Sequence, residues 1–129
     1  MEKLHIDQTK GTPKIDFDPD TNKLLLWGQS YPENAFKFYE PIFNWVNGYL
    51  YACKQPVLIE VNLSYVNTSS TKCILMLLEK FENAYQGGAQ ITLNWYYDAE
   101  NESELECAEE FKEDVTFPFY IISLPQDAN

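Results

Sequence analysis

The second half of the chain alternates between two apolar periodicities, and this alternation constrains the fold more than any other feature. Residues 57–63, 91–97 and 117–124 are short apolar runs rich in β-branched and aromatic side chains, as strands are. Between the first two runs, residues 69–86 carry apolar side chains at spacings of three and four, which indicates an amphipathic helix. Strands that alternate with helices require right-handed crossovers, so we predict a parallel core sheet. Because residues 57–63 are apolar at nearly every position, we expect an interior strand covered on both faces.

The pattern of the N-terminal part of the chain predicts antiparallel strands that extend the parallel core sheet. Residues 3–7 and 14–18 alternate polar and apolar, and a dense turn signal at 18–22 precedes the apolar run 24–27. We expect two or three strands here, with at least one hairpin. The predicted fold is a single α/β domain over residues 1–125, a mixed sheet with helices packed on it, and a frayed tail at 126–129.

A long helix is predicted between these two parts, ending near residue 52. Its apolar face is formed by side chains repeating at three and four, namely Phe36, Tyr39, Phe43, Val46 and Leu50, with Trp45 and Tyr49 widening it. Pro32 suits the first turn, with Ser30 or Tyr31 just outside the helix. Pro41 lacks the N–H that a helix interior requires, so we expect either a break near residue 40 or a kink.

Charge and composition exclude several classes of function. A net charge of −11 disfavours nucleic acid and anionic membrane surfaces as partners, since both are bound through Lys and Arg. No apolar segment is long enough to span a bilayer, and the N-terminus lacks the pattern of a secretion signal. The three cysteines are odd in number and far apart, so we interpret them as reduced packing thiols of a cytoplasmic protein.

A run of hydroxyl-bearing residues lies where the predicted strand 57–63 leads into the predicted helix 69–86. This corner reads Asn67-Thr68-Ser69-Ser70-Thr71-Lys72. In one interpretation Asn67 or Thr68 caps the helix and the other hydroxyls merely suit a first turn, and spacing alone favours it. In the other interpretation a hydroxyl here is phosphorylated, because the amide-rich start of a helix favours negative charge. The residues alone leave both interpretations open.

The remaining polar clusters indicate no catalytic or metal chemistry. Residues 98–114, which we predict to be helical, hold nine carboxylates against one lysine, and a solvated face that attracts a basic partner is favoured over a cation site. His5, among the early carboxylates, is the chain's one histidine and matches no metal-binding spacing. No nucleophile elbow, phosphate-binding glycine loop or Cys–His pair is present. We therefore expect a protein that is not an enzyme and holds no cofactor and no metal.

Four segments together resemble the SiaC family of bacterial regulatory phosphoproteins. The corner Tyr65-Val66-Asn67-Thr68-Ser69-Ser70-Thr71-Lys72 and the segment Gly28-Gln29-Ser30-Tyr31-Pro32-Glu33-Asn34 carry most of the resemblance. Residues 11–17 are similar to the opening strand of the family, and residues 95–98 with the acids that follow are similar to its passage from strand to acidic helix. The resemblance covers nearly the whole chain.

This resemblance implies a fold like that of STAS-type anti-sigma-factor antagonists and a role as a phosphoswitch. The matching phosphoacceptor is Thr68, which a partner kinase would phosphorylate and a PP2C-like phosphatase would dephosphorylate. The unphosphorylated form would bind and activate a diguanylate cyclase. The docking surface that we predict around Thr68 consists of Tyr31, Glu33, Asn34, Asn67, Ser69, Ser70 and Lys72. The alternative is a constitutive protein-binding module that phosphorylation does not control.

Overall fold

The computed structural model describes residues 1–125, which form one six-stranded mixed sheet and three helices. The strands are β1 (Leu4–Ile6), β2 (Lys14–Asp18), β3 (Lys23–Ser30), β4 (Val57–Val66), β5 (Ile91–Asp98) and β6 (Phe119–Leu124). The helices are α1 (Ala35–Ala52), α2 (Thr68–Gln86) and α3 (Glu102–Lys112), which join β3 to β4, β4 to β5 and β5 to β6. The predicted α/β architecture is confirmed. The predicted frayed tail at 126–129 lies outside the described residues.

The strands lie in the sheet in the same order as in the sequence. β2 pairs antiparallel with both β1 and β3, so the N-terminal part forms two hairpins, while β3, β4, β5 and β6 are parallel. Each crossover leads to the next strand on the same side of the last one. Right-handed crossovers of this kind place all three helices on one face of the sheet.

Aromatic side chains of α1 and α3 pack on the covered face of the sheet. One row of this face runs across five strands through Phe17, Leu24, Ile59, Leu93 and Phe119, all nearly fully buried. Trp45 of α1 contacts Phe17 at 5.6 Å between ring centroids, and Phe111 of α3 stacks at 5.1 Å on Trp95 of the same face.

The opposite face of the sheet is only partly covered. In β4, Leu58 and Glu60 point away from the helices and are half-buried, whereas Ile59 and Val61 are 3% exposed. The expectation that this strand is covered on both faces is therefore wrong. Its apolar run reflects an interior position in the sheet, with strands on either side, and one covered face.

Helix α1 differs from its prediction at the start and in the middle. It begins at Ala35 with Asn34 as the N-cap, whose side chain accepts from Lys37 N at 3.1 Å, so Pro32 precedes the helix. Pro41 lies inside a continuous helix, and the predicted break is wrong. Pro41 deprives the Lys37 carbonyl of its partner, and because Lys37 and Pro41 are both exposed, water can replace that hydrogen bond.

The buried face of α1 is also displaced from the predicted one. Phe36 is 51% exposed, and Leu50 is only half-buried. The buried side chains are Ala35, Tyr39, Ile42, Phe43, Val46 and Tyr49. The Tyr39 hydroxyl bonds to Ser30 of β3, and the Tyr49 hydroxyl donates to Asn22 in the turn before β3.

Candidate functional site

The candidate site forms where the parallel strands β3 and β4 end side by side. Gly28 has φ +138, a conformation that favours glycine, and the register shifts between Gly28 and Gln29. After this irregularity Ser30 pairs with Val66, and Asn67 N donates to Ser30 O at 3.0 Å. The turn after β3 and the start of α2 are thereby held next to each other.

Asn67 is the N-cap of α2. Its backbone is extended, and its side-chain oxygen accepts from Ser70 N at 2.8 Å. This leaves Thr68 as the first helical residue, one position before the predicted start. Of the two capping residues that the sequence left open, the structure selects Asn67, and the hydroxyl of Thr68 is not needed for capping.

The four hydroxyls that follow Asn67 divide into two inward and two outward groups. Ser70 is 0% exposed and accepts from Ser30 Oγ at 2.8 Å, and Thr71 Oγ1 donates to Asn67 O at 3.0 Å. Thr68 and Ser69 are exposed, and their hydroxyls make no hydrogen bond within residues 1–125. The folded protein therefore offers a modifying enzyme Thr68 and Ser69. The prediction that Ser70 lies on the docking surface is wrong, because its side chain faces the core.

A buried chain of hydroxyls beneath the corner joins three elements. Ser30 of β3 bonds to Tyr39 of α1 at 2.7 Å and to Ser70 of α2 at 2.8 Å, and each of the three is 0% exposed. Burial raises the pKa of the Tyr39 hydroxyl well above its ordinary value, so the group stays protonated. Sequence reasoning missed this chain, although Ser30 shares the inward parity of Leu24 and Leu26 along β3.

The turn after β3 lies beside the corner, as predicted. Tyr31 N donates to Gly11 O at 2.8 Å, and the Tyr31 ring meets the edge of Tyr65 at 5.9 Å between centroids. Tyr65 is 54% exposed and was not among the predicted docking residues, although it stands two positions before Asn67. Three of the predicted docking residues, Glu33, Asn34 and Lys72, are exposed.

The acidic stretch is only partly the solvated helix that the sequence predicts. Glu104 is 5% exposed, and Asn62 Nδ2 donates to its carboxylate at 3.2 Å and to Tyr96 O at 2.7 Å. This interaction fastens the start of α3 between the ends of β4 and β5. The other carboxylates of α3 are exposed.

The other polar groups show no arrangement for chemistry. Across residues 1–125, no three His, Cys, Asp or Glu side chains are close enough to hold a metal ion. His5 is exposed and bonds to Asp7 at 2.8 Å, and the three cysteines are free thiols. None of the helices in this part of the chain has the length and apolar character of a membrane span.

Comparisons with known proteins agree on one family. The model of the SiaC family of regulatory phosphoproteins matches residues 6–124. An uncharacterized protein of Pseudomonas aeruginosa strain UCBPP-PA14 is 41% identical over 121 residues, which cover 94% of this chain and 96% of that protein.

Solved structures give the same result. The crystal structure of apo-SiaC from P. aeruginosa matches with a TM-score of 0.90 and 40% identity, over 95% of this chain and 99% of that one. The crystal structure of the diguanylate cyclase SiaD in complex with its activator SiaC, also from P. aeruginosa, matches too. Here the TM-score is 0.90 and the identity 40%, over 94% of this chain and 99% of the matched one.

Proposed function

Because this chain belongs to the SiaC family of regulatory phosphoproteins, we propose that it binds and activates a diguanylate cyclase and that phosphorylation of Thr68 controls this binding. The observation that carries the proposal is the exposed, unbonded hydroxyl of Thr68 at the first position of α2, in a fold that matches a cyclase activator over nearly its whole length. The protein acts as a substrate and binding partner, and it does no chemistry itself.

The start of α2 suits reversible phosphorylation on electrostatic grounds. The first turn of the helix carries no acidic residue, and its first N–H groups point toward the end where negative charge is favoured. A phosphate on Thr68 adds about −1.5 to −2 charges there. The Asn67 cap and the buried Ser70 bond do not involve Thr68, so the modification leaves the fold in place and changes only the surface.

A phosphate on Thr68 would weaken the docking of a partner protein. We place the docking surface on Tyr31, Glu33, Asn34, Asn67, Ser69 and Lys72, and we add Tyr65 because its exposed ring contacts Tyr31. Thr68 lies among these residues, so a doubly charged group would have to lose its water in the interface. A cytoplasmic kinase and a PP2C-like phosphatase would act on the same exposed hydroxyl, and the free thiols agree with that location.

The test compares binding and activation by defined variants. The probe is SiaD of P. aeruginosa, and the measurements are its affinity for this protein and its rate of cyclic di-GMP synthesis. Wild type and Thr68→Ala should bind and activate alike, whereas Thr68→Asp should bind at least about tenfold more weakly. Ser103→Asp is the matched control, because it places the same charge on an exposed serine in the first turn of α3, outside the docking surface, and it should bind like wild type. Equal binding by Thr68→Ala and Thr68→Asp would show that Thr68 is not the switch.

One observation favours the constitutive module as a second candidate. Ser70 and Thr71 have structural bonds, so half of the hydroxyls at the corner are explained without phosphorylation. Incubation with ATP and the partner kinase, followed by intact-mass measurement, separates the two functions. A gain of one phosphate that Thr68→Ala abolishes supports the switch, and an unchanged mass supports the module.

A further inference from the structure

A groove between α2 and α3 lies one helical turn beyond Thr68. It has a volume of about 120 Å³, and its lining residues are Thr71, Leu75, Cys107, Glu110, Phe111 and Asp114. Leu75, Cys107 and Phe111 give it apolar walls that are buried or half-buried, whereas Glu110 and Asp114 are exposed. The groove thus combines an apolar interior with two carboxylates.

Within residues 1–125, no cation forms an ion pair with Glu110 or Asp114. The ion pairs within residues 1–125 join Lys3 to Asp16, His5 to Asp7 and Lys23 to Glu60, all far from α3 in the sequence. Burial, and then the charges of Glu110 and Glu104, raise the pKa of the Cys107 thiol to about 11. The thiol therefore stays neutral, and the interior of the groove has a negative potential that favours a cation.

The chemistry of the groove favours an organic cation over a metal ion. No cluster of His, Cys, Asp and Glu within the described part of the chain can hold a metal. Apolar walls beside a charged opening suit a long basic side chain, which packs its methylene groups on an apolar surface and keeps its charged end near water. Arginine fits two neighbouring carboxylates better than lysine, because its planar group donates several hydrogen bonds and is weakly hydrated.

We propose that this groove binds an arginine side chain of a partner protein. The aliphatic part of the arginine packs on Leu75 and Phe111, and its guanidinium group bonds to Glu110 and Asp114. A second copy of this chain is not the partner, since all nine basic residues of the chain are lysines. Thr71 lines the groove and bonds to the cap residue Asn67, so the groove adjoins the corner. That the arginine belongs to the regulated partner rests on the proposed function.

Nuclear magnetic resonance with a small probe tests the groove without any partner protein. N-acetyl-arginine methylamide is titrated into the ¹⁵N-labelled protein, and N-acetyl-citrulline methylamide serves as the neutral probe of nearly the same shape. We expect saturable amide shifts centred on Thr71, Leu75, Cys107 and Phe111 with the arginine probe only. The double variant Glu110→Gln/Asp114→Asn should bind at least about tenfold more weakly.

Matched variants make the result decisive. Asp20→Asn/Glu40→Gln removes two exposed charges from segments outside α2 and α3, and it should leave the arginine affinity within about twofold. Four results would each overturn the proposal. These are an equal loss of arginine affinity in the two double variants, amide shifts spread over all of α3, equal affinity for the citrulline probe, and no saturable shift. The two exposed substitutions preserve the core, and the spectrum itself reports folding. Because no cyclase is present, failure of the Thr68 switch leaves this result unaffected.

Discussion

The buried hydroxyl chain predicts that neighbouring serines at the corner contribute very differently to stability. Ser70→Ala removes the acceptor of the Ser30 hydroxyl at a fully buried position, whereas Ser69→Ala removes an exposed hydroxyl without a partner. Losing one buried hydrogen bond costs about 1–2 kcal/mol in the free energy of unfolding. The loss stays in this range because Ser30 can still bond to Tyr39. For a chain of this size it corresponds to a Tm lower by about 4–8 °C.

Urea unfolding followed by circular dichroism measures this difference. We expect Ser70→Ala to lower the midpoint at an unchanged m value, and Ser69→Ala to stay within about 0.5 kcal/mol of wild type. Tyr39→Phe removes the other partner of Ser30, and combined with Ser70→Ala it should cost more than the sum of the single changes, because the Ser30 hydroxyl then has no partner. Equal stabilities of Ser69→Ala and Ser70→Ala would refute the division of the corner into inward and outward hydroxyls.

Two further predictions concern carboxylates that connect helices to other segments of the chain. Hydrogen bonds from Thr116, then from Gln86 and Phe117, lower the pKa of Glu82 to about 2 from its ordinary value of 4.5, so its contribution is present above pH 4.5 and is lost as pH falls toward 2. Urea titrations at several pH values should therefore show Glu82→Gln less stable than wild type at pH 7, with the gap closing between pH 4.5 and 2. Asn62→Leu should cost about 1–3 kcal/mol, since it leaves the buried Glu104 carboxylate without its donor, and Asn62→Leu/Glu104→Met should recover much of that loss in the same assay.

Most of the fold was predictable because local patterns carry it. The spacing of apolar residues in 69–86 indicated α2, and the alternation in 14–18 indicated β2 with the bounds that the structure has. The sequential order of strands and helices then allowed few topologies, because crossovers are right-handed. Pro41 is the exception, since a local rule allowed a break near residue 40 and the helix continues through it, stabilised by the packing of its buried face, whereas the alternative of a kink stays a prediction.

Patterns along the chain were enough to predict the architecture, the position of the hydroxyl corner and its likeness to one family. Which hydroxyl faces solvent and which carboxylate is buried became clear only from the folded structure. Ser69 and Ser70 are chemically identical neighbours, but Ser69 is exposed and Ser70 is buried. The difference arises because Ser30 of β3, forty positions earlier in the sequence, bonds to Ser70. Glu104 differs from the other acids of α3 in the same way, because Asn62 reaches it from β4. Local spacing determines which elements form, whereas exposure depends on partners that are distant in the sequence and meet only after the chain has folded.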